Sequence, residues 1–128
     1  MVGDKANGNS GGSSCVRPEP GSRRIEVPAL SVSGLWRSRG LDRCDLLKLD
    51  CEGAEGLILR GLAEAGLLPR VRDITGEWHS ADERPETTAA VRRELSELLG
   101  HSHRVTFAEP IRGREGHFRA TALHWPPR

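Results

Sequence analysis

The stretch from Cys44 to Gly66, CDLLKLDCEGAEGLILRGLAEAG, constrains the fold more than any other part of the chain. CDLLKLD is a compact apolar run with polar ends, the pattern of a strand buried on both faces and therefore of a parallel sheet. Directly after it, apolar or small residues recur at Ala54, Leu57, Ile58, Gly61, Leu62 and Ala65, the spacing of one helix face, and Gly66 supplies a C-terminal stop. RVRDITGEW predicts the next strand, weakened by Gly76, and Pro85 opens a helix whose apolar face is Val91, Leu95, Leu98 and Leu99, with Gly100 ending it. HRVTFAE and HFRATALHW, separated by PIRGREG, predict a terminal antiparallel hairpin. Upstream, RIEVPALSV is β-like but interrupted by Pro28, which confines it to an edge strand or a connector, and SGLWRSRGL supplies a short helical turn. Strands alternating with helices in this order predict an α/β fold, with a parallel sheet and the C-terminal hairpin at its edge.

A chain of 128 residues holds one core and not two. Residues 1–22, with GDKANGNSGGSS at their centre, are nearly devoid of apolar side chains and predict a flexible arm ahead of a domain over 23–128. With 19 Lys and Arg against 18 Asp and Glu, and no long stretch of one sign, the charge footprint of a nucleic-acid binder is missing. No apolar run approaches the roughly 20 residues of a membrane span, and no signal segment opens the chain, so cytoplasm is the default location. Cys15, Cys44 and Cys51 form no C-x-x-C pair and read as reduced thiols of a cytosolic protein.

In an open α/β sheet, ligands gather beyond the carboxyl ends of the strands. Asp50 and Glu52 stand where the first strong strand ends and its helix begins, and Glu77, Trp78 and His79 close the next strand at what should be the same rim. Taken alone, the acidic residues of DCEGAE divide evenly between helix capping and function. Joined by Glu77 and His79, they form a set able to bind a divalent cation, orient a hydroxyl or remove its proton. Glu55, in the first turn of the helix, reads as a partner of the helix dipole. Lys48 shares a strand face with Asp50 and is placed either to pair with Glu77 or to lower the pKa of a hydroxyl, its alternative being a structural ion pair.

The residues Asp45, Leu47, Lys48, Asp50, Glu52, Gly53, Glu55, Leu59 and Gly61 within DLLKLDCEGAEGLILRGL closely resemble the hallmark stretch of the FkbM family of methyltransferases. VPALSVSGL, ITGEWH and GDKANGNSGGSS are similar, more weakly, to flanking segments of that family, although Val32, Ser33 and Gly34 replace an L-D-D triplet. The resemblance implies a Rossmann-like class I fold, S-adenosylmethionine as cofactor, and O-methylation of a sugar, polyketide or other small metabolite. It implies Asp50 beside the cofactor's methyl group, with Glu52 and His79 as acceptor ligands or general base and Lys48 and Glu77 beside them. The glycine-rich turn and acidic strand end that open such enzymes are not found in this chain, so it is expected to be the carboxyl-terminal half of the fold, completed by a partner chain or else a non-catalytic remnant or interaction module. NGNSGG follows no strand and opens no helix, and reads as linker. Without its sheet neighbours the DLLKLD strand, central in the complete fold, would expose an apolar edge unless RIEVPALS covers it, and self-association is expected.

Other polar features read as ordinary surface. His101 and His103 make an H-x-H on a predicted turn with no third metal ligand near in sequence. Arg112, Arg114 and His117 give the hairpin a basic tip, and Trp36 and Trp78 read as packing residues.

Overall fold

The strand–helix unit expected over residues 44–66 is present. A computed structural model describes residues 2–4, 23–79, 85–108 and 115–125. The elements are β1 (Val2–Asp4), β2 (Arg23–Ile25), α1 (Val32–Ser38), β3 (Cys44–Leu49), α2 (Glu55–Glu64), β4 (Val71–His79), α3 (Pro85–Leu99), β5 (His103–Phe107) and β6 (Glu115–Ala122). Apart from β1, the arm expected over residues 1–22 lies outside the described residues, as do Cys15, Arg112 and Arg114 of the expected hairpin tip.

Local chemistry sets the helix boundaries. Ser31 caps α1 by accepting a hydrogen bond from the Gly34 N–H at 3.0 Å. At the far end of α2, Gly66 takes φ +67°, and the bonds from Leu67 N to the Leu62 carbonyl (2.8 Å) and from Gly66 N to the Ala63 carbonyl (2.9 Å) make a Schellman stop. The two helices meet where Gly61 lets the Val32 side chain approach.

The main sheet has four strands in the order β3-β4-β6-β5, with β3 and β4 parallel and the pairs β4–β6 and β6–β5 antiparallel. Register aligns the side chains in rows. Leu47, Ile74, Ala120 and Val105 form one row, and Leu49, Gly76, Phe118 and Phe107 the next. These rows meet Trp36 of α1, Leu59 and Leu62 of α2, and Leu95 and Leu99 of α3 in a single core. The opposite face carries Leu46, Asp73, Thr121 and Arg104 in one row and Lys48, Thr75, Arg119 and Thr106 in the next.

The sequence expectations need correction at the faces of β3, in the extent of the parallel sheet and at His103. The β3 strand is buried on one face only: Leu49 is 2% exposed but Leu46 is 61% exposed, because the helices that share its core belong to one layer. Among the described residues nothing pairs with its outer side, the open edge expected of this strand where its sheet neighbours are missing. RIEVPALS does not cover that edge, since Arg23–Ile25 pairs with Val2–Asp4 in a separate ribbon and the chain beyond, through Pro28, forms no strand. The parallel sheet is thus one parallel pair, and the hairpin places its last strand, β6, inside.

His103 is the third correction. It is 2% exposed rather than solvated, with Ser102 Oγ 2.7 Å from Nδ1 and the Val71 carbonyl 2.8 Å from Nε2. Burial holds its pKa below the ordinary value, against the opposing pull of the Val71 carbonyl and Asp73. A histidine with a lowered folded pKa is protonated more readily in the unfolded chain. Its contribution to stability is therefore complete above about pH 6.5 and is lost as pH falls from there through the folded value. The urea midpoint of the wild type should drop over that interval by more than that of His103→Gln, and equal slopes would contradict this account.

Candidate functional site

The polypeptide leaves β3 at Asp50 and enters α2 at Glu55 through four residues that turn back on themselves. Glu52 takes φ +49° and Gly53 φ +104°, and the second of these is a conformation that essentially only glycine adopts without strain. The Ala54 N–H closes the turn on the Cys51 carbonyl at 3.2 Å. Ala54 offers no side-chain cap to α2. Glu55 serves the loop instead: its Oε1 accepts from Cys51 N at 2.7 Å and its Oε2 from Gly53 N at 3.1 Å.

The parallel register of β3 with β4 brings the end of β4 alongside this loop. His79, whose side chain is 10% exposed, lies with Nδ1 2.9 Å from Glu55 Oε1. Its Nε2 is 3.9 Å from Glu52 Oε2 and 3.9 Å from Glu77 Oε2. Ligand atoms of Asp50, Glu52 and His79 all fall within 4.8 Å of one another, which is the spacing of a set that can hold one cation. Lys48 turns toward Asp50, with Nζ 3.9 Å from Oδ2, and not toward Glu77. Glu77 has His117 of β6 beside it instead, at 3.7 Å.

The rim expected from sequence is therefore assembled: Asp50, Glu52, Glu77 and His79 converge, and Lys48 stands next to Asp50. Two participants escaped the sequence reading. Glu55 is 3% exposed and joins the loop to β4, where only a partner of the helix dipole was expected. His117 belongs to the rim through strand pairing that places it opposite Glu77. Only the recurrence of acidic residues at Asp50, Glu52 and Glu55 signalled the first, and nothing local signalled the second. At the opposite end of the strands, Arg72 donates to Asp73 at 3.0 Å and holds that carboxyl below its usual range, a structural pairing away from the rim.

In open α/β sheets ligands bind in the crevice beyond the carboxyl ends of the strands, and that is where these carboxylates and this imidazole gather. Residues 3–103 match the model described as the methyltransferase FkbM domain, and the chain belongs to that family. It is similar to the 31-O-demethyl-FK506 methyltransferase FkbM of Streptomyces tacrolimicus, with 28% identity over 107 residues that cover 84% of this chain. The matched region spans 36% of that relative's length. No solved structure matches the chain. Among the described residues no helix is long and apolar enough to cross a membrane.

Proposed function

We propose that this chain forms the acceptor-side rim of an S-adenosylmethionine-dependent O-methyltransferase acting on a hydroxyl of a small metabolite, sugar or polyketide. The observation that carries this reading is the convergence of Asp50, Glu52, Glu77 and His79 at the carboxyl ends of β3 and β4, in a family of methyltransferases. The rim fits part of the cofactor, since its carboxylates complement a sulfonium and an ammonium. Asp50, the exposed member of the set, is the residue proposed to stand beside it. The bound cofactor supplies an electrophilic methyl group. The chain's own task is to position the acceptor hydroxyl and take its proton, work that we assign to Glu52, His79 and Glu77, with Lys48 beside Asp50.

Thermal unfolding with and without S-adenosylhomocysteine tests the reading. Ligand at 100 times its dissociation constant should add about 2.7 kcal/mol, which is several degrees for a domain of this size. An unmoved transition would favour a methyltransferase-like module that does not bind the cofactor alone.

The outer edge of β3 bears on partners. Its backbone groups lie beside the rim, with Leu46 exposed on the open face, and an unpaired parallel edge is a template for another chain. We propose that this edge pairs with a second copy or with a chain completing the sheet. Size-exclusion chromatography at micromolar concentration should show an oligomer, and a monomeric elution volume would count against pairing between copies.

A further inference from the structure

We propose that the open edge of β3 receives the β1–β2 ribbon of a second copy of this chain, laid under α1 as an added strand. The inference rests on the edge pairing proposed above and names the segment that makes it; it does not depend on methyl transfer.

The spacing of the two layers defines the seat. Helices packed side by side stand about 8–10 Å apart and neighbouring strands about 4.8 Å, so one step across the helix layer spans roughly two strands. α2 packs over β4, and the next helix, α3, packs over β5, two strands along in the order β4-β6-β5. α1 packs against α2, and two strands from β4 in the direction of β3 is the position just beyond β3. α1 therefore roofs a place in the sheet that no described strand of its own chain fills. Exposed apolar side chains belong to the segments around it: Leu35 of α1, Leu41 of the turn that follows, and Leu46 of β3.

The same spacing decides which strand can enter. Two β3 edges paired about a two-fold axis, with both sets of helices in one layer, bring α1 and its copy to about 5 Å, closer than helices pack. β5, the other edge of the sheet, arrives with α3 above it, where α1 already lies. The ribbon brings no such cover: it is a separate two-stranded sheet on which no helix packs closely, and all three residues of β2 are exposed. A two-stranded ribbon by itself is marginally stable in water and gains from joining a larger sheet.

The side chains of the ribbon fit the two faces of the seat. In an extended backbone Ile25 and Val27 lie on one side and Arg24 and Glu26 on the other. Ile25 and Val27, both exposed in the single chain, go under α1 with Leu35. Arg24 and Glu26 join the polar face that carries Lys48, Thr75 and Arg119. Pro28, which has no N–H to give a ladder, ends the added strand. Exchange of one element between identical chains is a low-cost route to association.

The test follows the mass of the full chain by size-exclusion chromatography with light scattering at micromolar concentration. Ile25→Asp alters the ribbon and Leu35→Asp the seat, both at exposed side chains. The expected result is an oligomer for wild type, a monomer for each variant alone, and a dimer and nothing larger for their equimolar mixture, in which one copy supplies an intact ribbon and the other an intact seat. An Ile25→Asp chain that associates like wild type overturns the proposal while leaving edge pairing by another strand in place, so the two failures are distinguishable. A mixture that stays monomeric overturns it, and a monomeric wild type overturns it together with pairing between copies. Hydrogen exchange of wild type at two concentrations needs no variant: amides of residues 24–27 and of β3 should gain protection together on concentration, and a gain at β3 alone overturns the proposal even should a variant fail to fold.

Discussion

Replacing Trp78 with alanine is expected to lower the unfolding free energy by about 3–5 kcal/mol, a large share of the roughly 5–15 kcal/mol that stabilises a domain of this size. Trp78 is 2% exposed and occupies the middle of the core under α3. Its ring meets Phe107 edge-on, with centroids 5.5 Å apart at 81°, and the Arg92 guanidinium lies 5.6 Å from its centroid. Across the sheet its register partner is Gly116, which has no side chain because the indole lies where a Cβ would be. Truncation therefore empties a volume that the β4–β6 ladder cannot collapse to fill. Gly116→Ala should destabilise from the other side, by forcing the indole out of its place. Urea denaturation of both variants provides the check, and midpoints unchanged from wild type would contradict this packing.

Gly76→Val is expected to cost about 1–3 kcal/mol or more and to loosen the functional rim at the same time. Strand propensity argues the reverse, because valine favours strands and glycine weakens them. Position decides against propensity. A Cβ on Gly76 would lie 2.5 Å from the Leu49 carbonyl oxygen, 3.0 Å from Leu49 Cβ and 3.1 Å from Phe118 Cε1. The first of these is backbone of the neighbouring parallel strand, which can yield only by moving away. Leu49 is the last residue of β3, so its displacement carries Asp50 and Glu52 away from His79. Hydrogen exchange of the β3 amides should accelerate in the variant beyond the global loss of stability, and S-adenosylhomocysteine should stabilise it less than wild type. A variant as stable as wild type, with β3 equally protected, would refute the close approach.

The candidate site was legible where it depended on chain order. Asp50 and Glu52 follow a strand, Glu77 and His79 end the next one, and parallel neighbours bring their carboxyl ends to one rim, so residues 25 or more apart in sequence could be grouped before any coordinates. What could not be read was what each residue touches once there. Lys48 is equidistant in sequence logic from Asp50 and Glu77, and the short hop along its own strand prevailed. Glu55 read as a partner of the helix dipole, a role that needs no burial. Its burial follows from the turn at Glu52 and Gly53, which folds two backbone N–H groups onto its carboxylate. His103 was misread for the related reason that an H-x-H on a turn carries no mark of the strand against which it packs.

The sequence by itself determined the elements from β3 onward and the family, but not the β1–β2 ribbon. The helix face of α2, its Gly66 stop, the face of α3 and the hairpin strands are periodic, and periodicity is a local property of the chain. Which side of β3 meets water, which strand lies at the edge and which carboxylate holds His79 were decided only by tertiary structure. Those outcomes depend on how many layers cover the sheet and on register between strands, and both are settled by contacts between segments that carry no trace of one another.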